Sequence, residues 1–183
     1  TGLNNDTLPG DWQIRRVSAT TVIFILEGFI MAVYAIWNNK GGVGKSYLTF
    51  QISCEYARTH PDRNVLVVDL CPQANASGML LGGILEGERK LWEMGMRTPS
   101  KTLSGYVEDR IRSPYMNPKT GASYLAEVSR HNRHIPRNLY LITGDEQLEI
   151  QASPVLNATR PGPPDAWRTV HTWISDLIED VRY

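Results

Sequence analysis

The sequence lacks an excess of either charge, a set of cysteines and an uninterrupted apolar run long enough to cross a membrane. Its 183 residues carry 19 lysines and arginines against 19 aspartates and glutamates, so no global charge marks it for nucleic acid or anionic lipid. Only Cys54 and Cys71 are present, which indicates a reducing compartment rather than a disulfide scaffold. Glu27 and Gly28 interrupt the apolar stretch 21–37, which therefore resembles neither a membrane span nor a secretory signal.

The sequence also shows no metal-binding pattern at the one place where two histidines lie close together. His131 and His134 have no other ligand-type residues near them, so they do not make a metal site by themselves. They belong to a basic cluster that reads first as a solvated polar loop and second as a phosphate or nucleic-acid contact. The cluster consists of Arg130, His131, Arg133, His134 and Arg137.

What is present is a strand, a glycine-rich turn and a helix in immediate succession. Residues 32–37 form an apolar run typical of a buried strand, and residues 47–60 carry a helical pattern with Leu48, Ile52 and Tyr56 on one face. The turn between them reads Asn38-Asn39-Lys40-Gly41-Gly42-Val43-Gly44-Lys45-Ser46. This layout predicts a phosphate-binding loop, although Asn39 stands where the usual pattern has its first glycine.

The residue types of this turn suit the phosphates of a nucleotide. Glycines let the backbone N–H groups converge without a Cβ in the way, and the following helix adds its positive N-terminal end. Lys45 would neutralise the β- and γ-phosphates, and the Ser46 hydroxyl would bind Mg²⁺. The expected nucleotide contacts are Lys40, Gly41, Gly42, Val43, Gly44, Lys45, Ser46 and Tyr47.

A second motif follows in residues 65–77. The apolar run 65–70 predicts a buried parallel strand, which with the first strand and helix makes a right-handed βαβ unit. Because ligands of open α/β sheets bind at the carboxyl ends of the strands, Asp69 is expected to face the phosphate loop as a catalytic and Mg²⁺-binding carboxylate. Taken alone, Asp69 reads first as a helix cap or a satisfied strand-end carboxylate, and only its position opposite the loop favours the functional role.

The first thirty residues fit the remainder poorly. Thr1 to Arg16 is polar without a clear period, and the strand and phosphate loop follow directly after Met31. Glu27-Gly28 would be encoded by a sequence resembling a bacterial ribosome-binding site. We therefore expect residues 1–30 to be a leader outside the fold, and residues 31–183 to form the domain.

The rest of the chain predicts an α/β fold of the P-loop NTPase type, a mostly parallel sheet flanked by helices. Helices are expected over 77–85, 102–111, 122–128 and 165–181, a strand over 138–144, and a charged loop over 86–100. A phosphate-loop ATPase also needs a second apolar strand ending in Asp, and no such run follows Leu70. We expect the chain to be truncated before that strand, known as Walker B.

Two motifs resemble a known family. The turn at 38–46 resembles the deviant Walker A loop of the ParA/MinD class of ATPases, and VLVVDLCPQANAS at 65–77 resembles its D-x-D-P-Q-A-N motif. The strand and turn NLYLITGDEQL at 138–148 is a weaker match. Asn39, which stands in place of the first glycine of the loop, makes the motif resemble the ParA branch, whose members segregate plasmids and chromosomes.

The resemblance implies a mechanism and partners. Such proteins bind ATP and Mg²⁺ and close into a homodimer in which Lys40 would reach the partner's phosphates, while Lys45 and Ser46 act within their own subunit. The dimer binds DNA without sequence preference, a ParB-like centromere-binding protein stimulates hydrolysis, and the location is the bacterial cytoplasm at the nucleoid, with no membrane.

Cys71 departs from the family pattern, because it replaces the second Asp, which positions the attacking water. A neutral thiol accepts hydrogen bonds poorly, and losing a positioned base costs about 10²–10⁴ in rate. Slow ATP hydrolysis is therefore expected, unless Cys71 is a tolerated variant. The alternatives are a nucleotide-gated interaction switch with little hydrolysis and a MinD-like membrane-positioning ATPase. A reductase with an iron–sulfur cluster would need cysteines that this chain does not have.

Overall fold

The computed structural model of the protein describes residues 21–27, 30–38, 40–98, 100–112, 119–149 and 176–178. Five strands and five α-helices are assigned within these ranges, and residues 176–178 are also helical. The strands are β1 (Thr21–Glu27), β2 (Ile30–Ile36), β3 (Val65–Asp69), β4 (Ala126–Glu127) and β5 (Leu139–Ile142). The helices are α1 (Lys45–Thr59), α2 (Asn75–Leu81), α3 (Ile84–Gly95), α4 (Leu103–Arg112) and α5 (Val128–His131), with a short 3₁₀ helix at Gly121–Tyr124.

The strands form one mixed sheet in the order β2-β1-β3-β5-β4. β3 and β5 pair in parallel, whereas β1 is antiparallel to both of its neighbours, β2 and β3. It follows that β2, β3 and β5 all run in one direction and end at the same edge of the sheet. The predicted α/β class is confirmed, and the edge at which these three strands end is the place where such a sheet binds ligands.

β1 is the largest departure from the sequence prediction. Residues 1–30 were expected outside the fold, yet residues 21–27 pair along their whole length with β2 and along five residues with β3. The run TVIFILE is rich in the β-branched and aromatic residues that favour strands, which explains why it can join a sheet. β2 and β3 are consequently not direct neighbours, so the predicted βαβ unit contains a strand between its two strands. Residues 1–20, 28 and 29 lie outside the described residues.

The core lies on both faces of β3 and β5, as expected for central strands. All five residues of β3 are buried. On one face, Val65 and Val67 pack with Leu139, Leu141 and Ala57 of α1. On the other face, Leu66 and Val68 belong to a second cluster, which also holds Leu103, Tyr106, Tyr124, Ile142 and Leu177.

α1 fully buries only small residues, and of the apolar stripe that the sequence suggests only Tyr56 packs against the core. Thr49, Ser53 and Ala57 are its buried positions, whereas Leu48 and Ile52 are 48% and 47% exposed. The helical prediction is confirmed, and its choice of face is wrong for Leu48 and Ile52 but not for Tyr56. Small side chains let a helix backbone approach the sheet closely, and this requirement outweighs the hydrophobicity of the two larger residues.

α3 occupies a segment whose charged residues predict a loop. Its charges pair along the helix, since Arg89 binds both Glu86, at 2.7 Å, and Glu93. Gly87 lies so close to α2 that a Cβ there would stand 2.0 Å from the Gly78 carbonyl oxygen. Pairs at this spacing support a helix, so the charges that suggested a loop in fact stabilise one.

Most of the remaining predictions are confirmed, one is wrong, and one falls largely on residues that the structure does not describe. The helices expected near 77–85 and 102–111 and the strand near 138–144 are present as α2, α4 and β5. Residues 122–128 form a 3₁₀ turn, the short β4 and the start of α5 rather than one helix. Of the helix expected over 165–181, only residues 176–178 are described, and they are helical. Within the described ranges, no helix has both the length and the apolar character that crossing a membrane requires.

Candidate nucleotide site

The phosphate loop, defined here as residues 38–46, joins the end of β2 to the start of α1. Gly42 and Gly44 have φ of 72° and 84°, in the left-handed region that favours glycine. Gly44 is the N-cap of α1, and its carbonyl oxygen accepts the first helical bond, from the Leu48 N–H at 2.9 Å. The glycines predicted from the sequence are therefore required by the backbone at two positions.

The loop leaves its backbone donors unused. Among the described residues, no hydrogen bond joins any N–H of residues 41–47 to an acceptor. The first N–H groups of a helix have no partner within the helix, so those of Lys45, Ser46 and Tyr47 are available to a ligand. Residues 40–44 are exposed, and Lys45 and Ser46 are half-buried. Together these donors can bind an anion, and the positive end of the α1 dipole favours it.

The two lysines take different positions. The Lys45 ammonium donates to the Lys40 carbonyl oxygen at 2.9 Å, which places it across the loop. The Lys40 backbone N–H donates to Asn38 Oδ1 at 2.8 Å, and the residue is exposed. Lys45 is thus placed to bind a phosphate in the loop, while Lys40 projects from the same loop toward solvent. Asn39 lies outside the described residues.

Asp69 lies at the same sheet edge but is fully buried. Its Oδ2 accepts bonds from the Ser77 N–H at 2.9 Å and the Ser77 hydroxyl at 2.8 Å, and its Oδ1 accepts one from the Cys71 N–H at 3.1 Å. These are the contacts of a carboxylate that holds the start of α2 against the end of β3. The geometry matches the strand-end alternative raised from the sequence.

Ser77 and Gly144 complete this arrangement and were missed as site residues. The Gly144 N–H donates to the Ser77 hydroxyl oxygen at 3.3 Å. A Cβ at Gly144 would lie 2.4 Å from the Cys71 carbonyl oxygen, so only glycine fits. Asp69, Cys71, Ser77 and Gly144 are called the Asp69 cluster below. Two features of the sequence could have indicated these residues. Ser77 ends the second motif, and Gly144 directly follows β5 in Thr143-Gly144.

Cys71 is the member of the Asp69 cluster that forms the tight turn after β3. It is half-buried, and its carbonyl oxygen accepts from the Ala74 N–H at 3.0 Å, which closes a tight turn. Ala74 has φ of 49°, an uncommon conformation for a residue with a side chain. The turn therefore fixes the backbone of residue 71 firmly, while its thiol supplies no carboxylate at that position.

The described residues fit the phosphates of a nucleotide, but they provide no complete set of ligands for Mg²⁺. Mg²⁺ prefers oxygen ligands in near-octahedral geometry, usually including a carboxylate. The predicted pair was Ser46 and Asp69, and the Asp69 oxygens already accept three hydrogen bonds out of contact with solvent. Across the ranges that the structure describes, no group of three His, Cys, Asp or Glu side chains could hold a metal ion. The pairing of Asp69 with Ser46 remains a prediction without geometric support.

The basic cluster lies at the opposite edge of the sheet, before the start of β5. Arg130 pairs with Glu127 at 2.6 Å, and His131 is half-buried, with its pKa lowered by burial and by Lys90. Arg133, His134 and Arg137 are exposed. We call these last three residues the basic edge. It shares no residue with the phosphate loop, so any anion bound there would be a separate ligand.

A cleft of about 1270 Å³ opens beside the second motif. Its lining includes Pro72 and Gln73, Trp92 of α3, Met96 directly after α3, and Asp145. None of residues 40–46 lines it. The phosphate loop is therefore an open surface site, separate from this cleft.

Comparison with known proteins agrees with the loop geometry. The model of a family described as AAA domain matches residues 31–154, well over half of the 183-residue chain. Neither a curated protein nor a solved structure matches the chain. The match spans the phosphate loop, the Asp69 cluster and β5, and it begins after β1. The chain therefore belongs to this AAA domain family, a ParA/MinD-like family of P-loop ATPases.

Proposed function

We propose that this chain binds ATP through the phosphate loop, hydrolyses it slowly and acts in plasmid or chromosome partitioning. The observation that carries the proposal is the loop itself. It combines two left-handed glycines, unused backbone donors at a helix start and the ammonium of Lys45 lying across the turn. This arrangement is suited to the β- and γ-phosphates of a nucleoside triphosphate.

Lys45→Ala tests the binding step. We expect loss of binding of a fluorescent ATP analogue by at least about tenfold, because a charged contact with phosphate contributes roughly 1.5–3 kcal/mol. Lys40→Ala is the matched control, since Lys40 lies in the same loop but projects away from it. It should leave binding to the monomer nearly unchanged. Equal losses in both variants would contradict the assigned roles.

The proposed homodimer depends on Lys40 instead. An exposed lysine beside the loop is placed to reach a nucleotide held by a second copy of the chain, as the family resemblance implies. We expect Lys40→Ala to abolish ATP-dependent dimerisation, measured by analytical ultracentrifugation with ATP and with ADP. Dimerisation that is equal with both nucleotides would remove the support for this role.

Hydrolysis is proposed to be slow because, within the part of the chain that the structure describes, the second motif offers the loop no free carboxylate. Asp69 is engaged within its cluster, and residue 71 is a thiol. We expect Cys71→Asp to raise turnover by about 10²-fold, the lower range for a positioned base. An unchanged rate would contradict this account. Tight ATP binding with no turnover in the unchanged chain would favour the second candidate, a nucleotide-gated interaction switch.

The proposed DNA contact is the basic edge. Exposed arginines attract phosphates irrespective of sequence, and binding then weakens as salt rises. Replacing Arg133 and Arg137 together by Ala should reduce the slope of log affinity against log salt by about 1.8, at 0.9 per lost contact. Arg58→Ala is the control, because Arg58 is already paired with Glu55 at 2.6 Å. A slope that stays the same in the double variant would exclude this surface. The proposal also includes a ParB-like protein as the partner that stimulates ATP hydrolysis.

A further inference from the structure

The cleft beside the second motif continues into an exposed apolar surface on α3. Among the described residues, the four most exposed large hydrophobic side chains all belong to α3 or to the residue that follows it: Ile84, Leu85, Trp92 and Met96. Trp92 and Met96 also line the cleft. We propose that this surface and the cleft together bind a partner protein through a basic amphipathic segment, one that presents large apolar side chains beside lysines or arginines.

The exposed surface lies opposite the face through which α3 packs. Leu85, Trp92 and Met96, called the α3 ridge below, are seven and four residues apart and so share one face of the helix. They are 85%, 64% and 64% exposed. The buried positions of α3 are Gly87 and Met94, which lie roughly 200° around the helix from Leu85 and Trp92 at 3.6 residues per turn. The α3 ridge therefore does not serve to attach α3 to the described fold.

The size and chemistry of this surface suit a peptide better than a small molecule. The cleft of about 1270 Å³ exceeds the roughly 300–1,000 Å³ that is usual for small-molecule pockets. Contiguous exposed apolar surface marks interaction sites, whereas single exposed residues do not. Tryptophan is among the residues most enriched at the dominant positions of protein interfaces, and the flexible Met side chain adapts to its partner. Trp92 belongs to both the ridge and the cleft, so a bound segment can pack on it from either.

The charges of the cleft determine the charge of its partner. Among the described residues that line it, six side chains carry a carboxylate and two, Arg97 and Lys119, are cationic. The carboxylates belong to Glu88, Glu108, Asp109, Asp145, Glu146 and Glu149. Glu88 lies between Leu85 and Trp92 on α3, and it forms no ion pair within the described structure. A positively charged segment is complementary to this lining, whereas nucleic acid and anionic lipid are repelled by it.

The cleft touches the Asp69 cluster but not the phosphate loop. Gly144 lines it, and the Gly144 N–H donates to the Ser77 hydroxyl oxygen at 3.3 Å. None of residues 40–46 contributes to the lining. A bound partner would thus lie against the end of the second motif while the phosphate loop stays open to its own ligand. Variants in the two places should therefore affect the two kinds of binding separately.

The test measures binding of a labelled peptide to the full chain by fluorescence anisotropy. The probe is a fluorescein-labelled peptide of about 15 lysines and leucines, with the leucines on one helical face. Trp92→Ala should weaken its binding at least about tenfold, as removal of an aromatic anchor does at protein interfaces. Trp37→Ala is the matched control, because Trp37 is also exposed but lies outside the cleft, and it should leave the affinity unchanged. Urea unfolding establishes that both variants are folded.

A second pair of variants tests the charge. Glu88→Gln combined with Glu146→Gln should weaken peptide binding by about fivefold and flatten its dependence on salt, because exposed charges attract through a screened field. The control combines Glu55→Gln with Glu127→Gln, which removes two carboxylates that lie outside the cleft and pair with Arg58 and Arg130. It should leave the affinity unchanged. A peptide with glutamate in place of every lysine should not bind.

Three results would overturn the proposal. One is failure of the unchanged chain to bind the lysine–leucine peptide, and another is an equal affinity of Trp92→Ala and the unchanged chain. The third is binding to phosphatidylglycerol vesicles that is lost in Trp92→Ala, because the α3 ridge would then serve a membrane. The fluorescent ATP analogue distinguishes these results from a failure of the proposed function. Trp92→Ala should keep the ATP affinity of the unchanged chain, and Lys45→Ala should keep its peptide affinity.

Discussion

The phosphate loop and the Asp69 cluster lie at the same edge of the sheet, and their polar groups are in opposite states. The loop exposes its backbone and uses none of the N–H groups of residues 41–47 within the described structure. Asp69 is fully buried, and both of its oxygens accept hydrogen bonds. The comparison shows that two motifs that are equally recognisable in the sequence can have different roles in the structure. One is available to a ligand, and the other holds the fold together.

This difference predicts opposite responses to substitution. Changes in the loop should alter ligand binding and leave the free energy of unfolding nearly unchanged, because the loop makes few contacts. Changes in the Asp69 cluster should alter the free energy of unfolding first, because each group there satisfies another buried group. Any activity change in that cluster must therefore be read beside a measurement of stability.

The largest effect is expected for Asp69→Ala. Removing the carboxylate leaves the Ser77 and Cys71 donors buried without an acceptor, which should cost about 3–5 kcal/mol of unfolding free energy. Lys45→Ala is the comparison from the loop, and it should change that free energy by less than about 0.5 kcal/mol. Urea denaturation followed by circular dichroism measures both. Equal midpoints for Asp69→Ala and the unchanged chain would show that Asp69 is not structural.

Asp69→Asn sharpens the same comparison. The amide keeps one acceptor oxygen but places an NH₂ group against a donor, so the loss should lie between those of the unchanged chain and Asp69→Ala. If Asn proves as stable as Asp while ATP binding falls, Asp69 would act on the ligand instead of on the fold. That result would erase the distinction between the two regions.

A pair of glycines gives the next largest effect. Gly144→Ala would place a Cβ 2.4 Å from the Cys71 carbonyl oxygen and 2.8 Å from that of Asp69, so backbone must shift, at a cost of about 1–3 kcal/mol. At Gly41 a Cβ meets nothing within 4 Å, and Gly41→Ala should be nearly neutral for stability. Thermal unfolding of both variants checks the prediction. A neutral Gly144→Ala would mean that the Asp69 cluster can expand.

Much of the site could be predicted from the sequence because its rules are local. The phosphate loop needs left-handed glycines between a strand and a helix, and Gly42 and Gly44 meet that requirement within a few residues. The strand β3 is likewise marked in the sequence by the apolar run at residues 65–68. Such signals depend on neighbours along the chain, so no knowledge of the tertiary structure is needed to read them.

The errors came from choices that only tertiary contacts decide. The face of α1 was misassigned because Leu48 and Ile52 outweigh Ser53 in hydrophobicity, whereas close packing on the sheet favours the small residue. α3 was missed because the Glu86–Arg89 ion pair along one helix looks like loop charge in a linear sequence. The place of β1 depends on pairing with residues of β3 that lie 40 to 48 positions away along the chain.

The smallest expected effect concerns the two thiols. Cys54 lies in α1, and Cys71 lies at the edge of the sheet that carries the site. Burial raises the pKa of Cys54 to about 11, so at pH 8 only about one thousandth of this thiol is the reactive thiolate. Its alkylation by iodoacetamide should be slow in the folded chain, and the alkylation rate should rise about tenfold per pH unit between pH 7.5 and 9.

Cys71, half-buried in a turn at the sheet edge, should react first, as mass spectrometry of the digested protein would show. Bound ATP should slow only the reaction of Cys71, because that thiol alone belongs to the edge where the loop holds its ligand. Protection of Cys54 to the same degree would indicate that ATP acts on the whole fold and not on this edge.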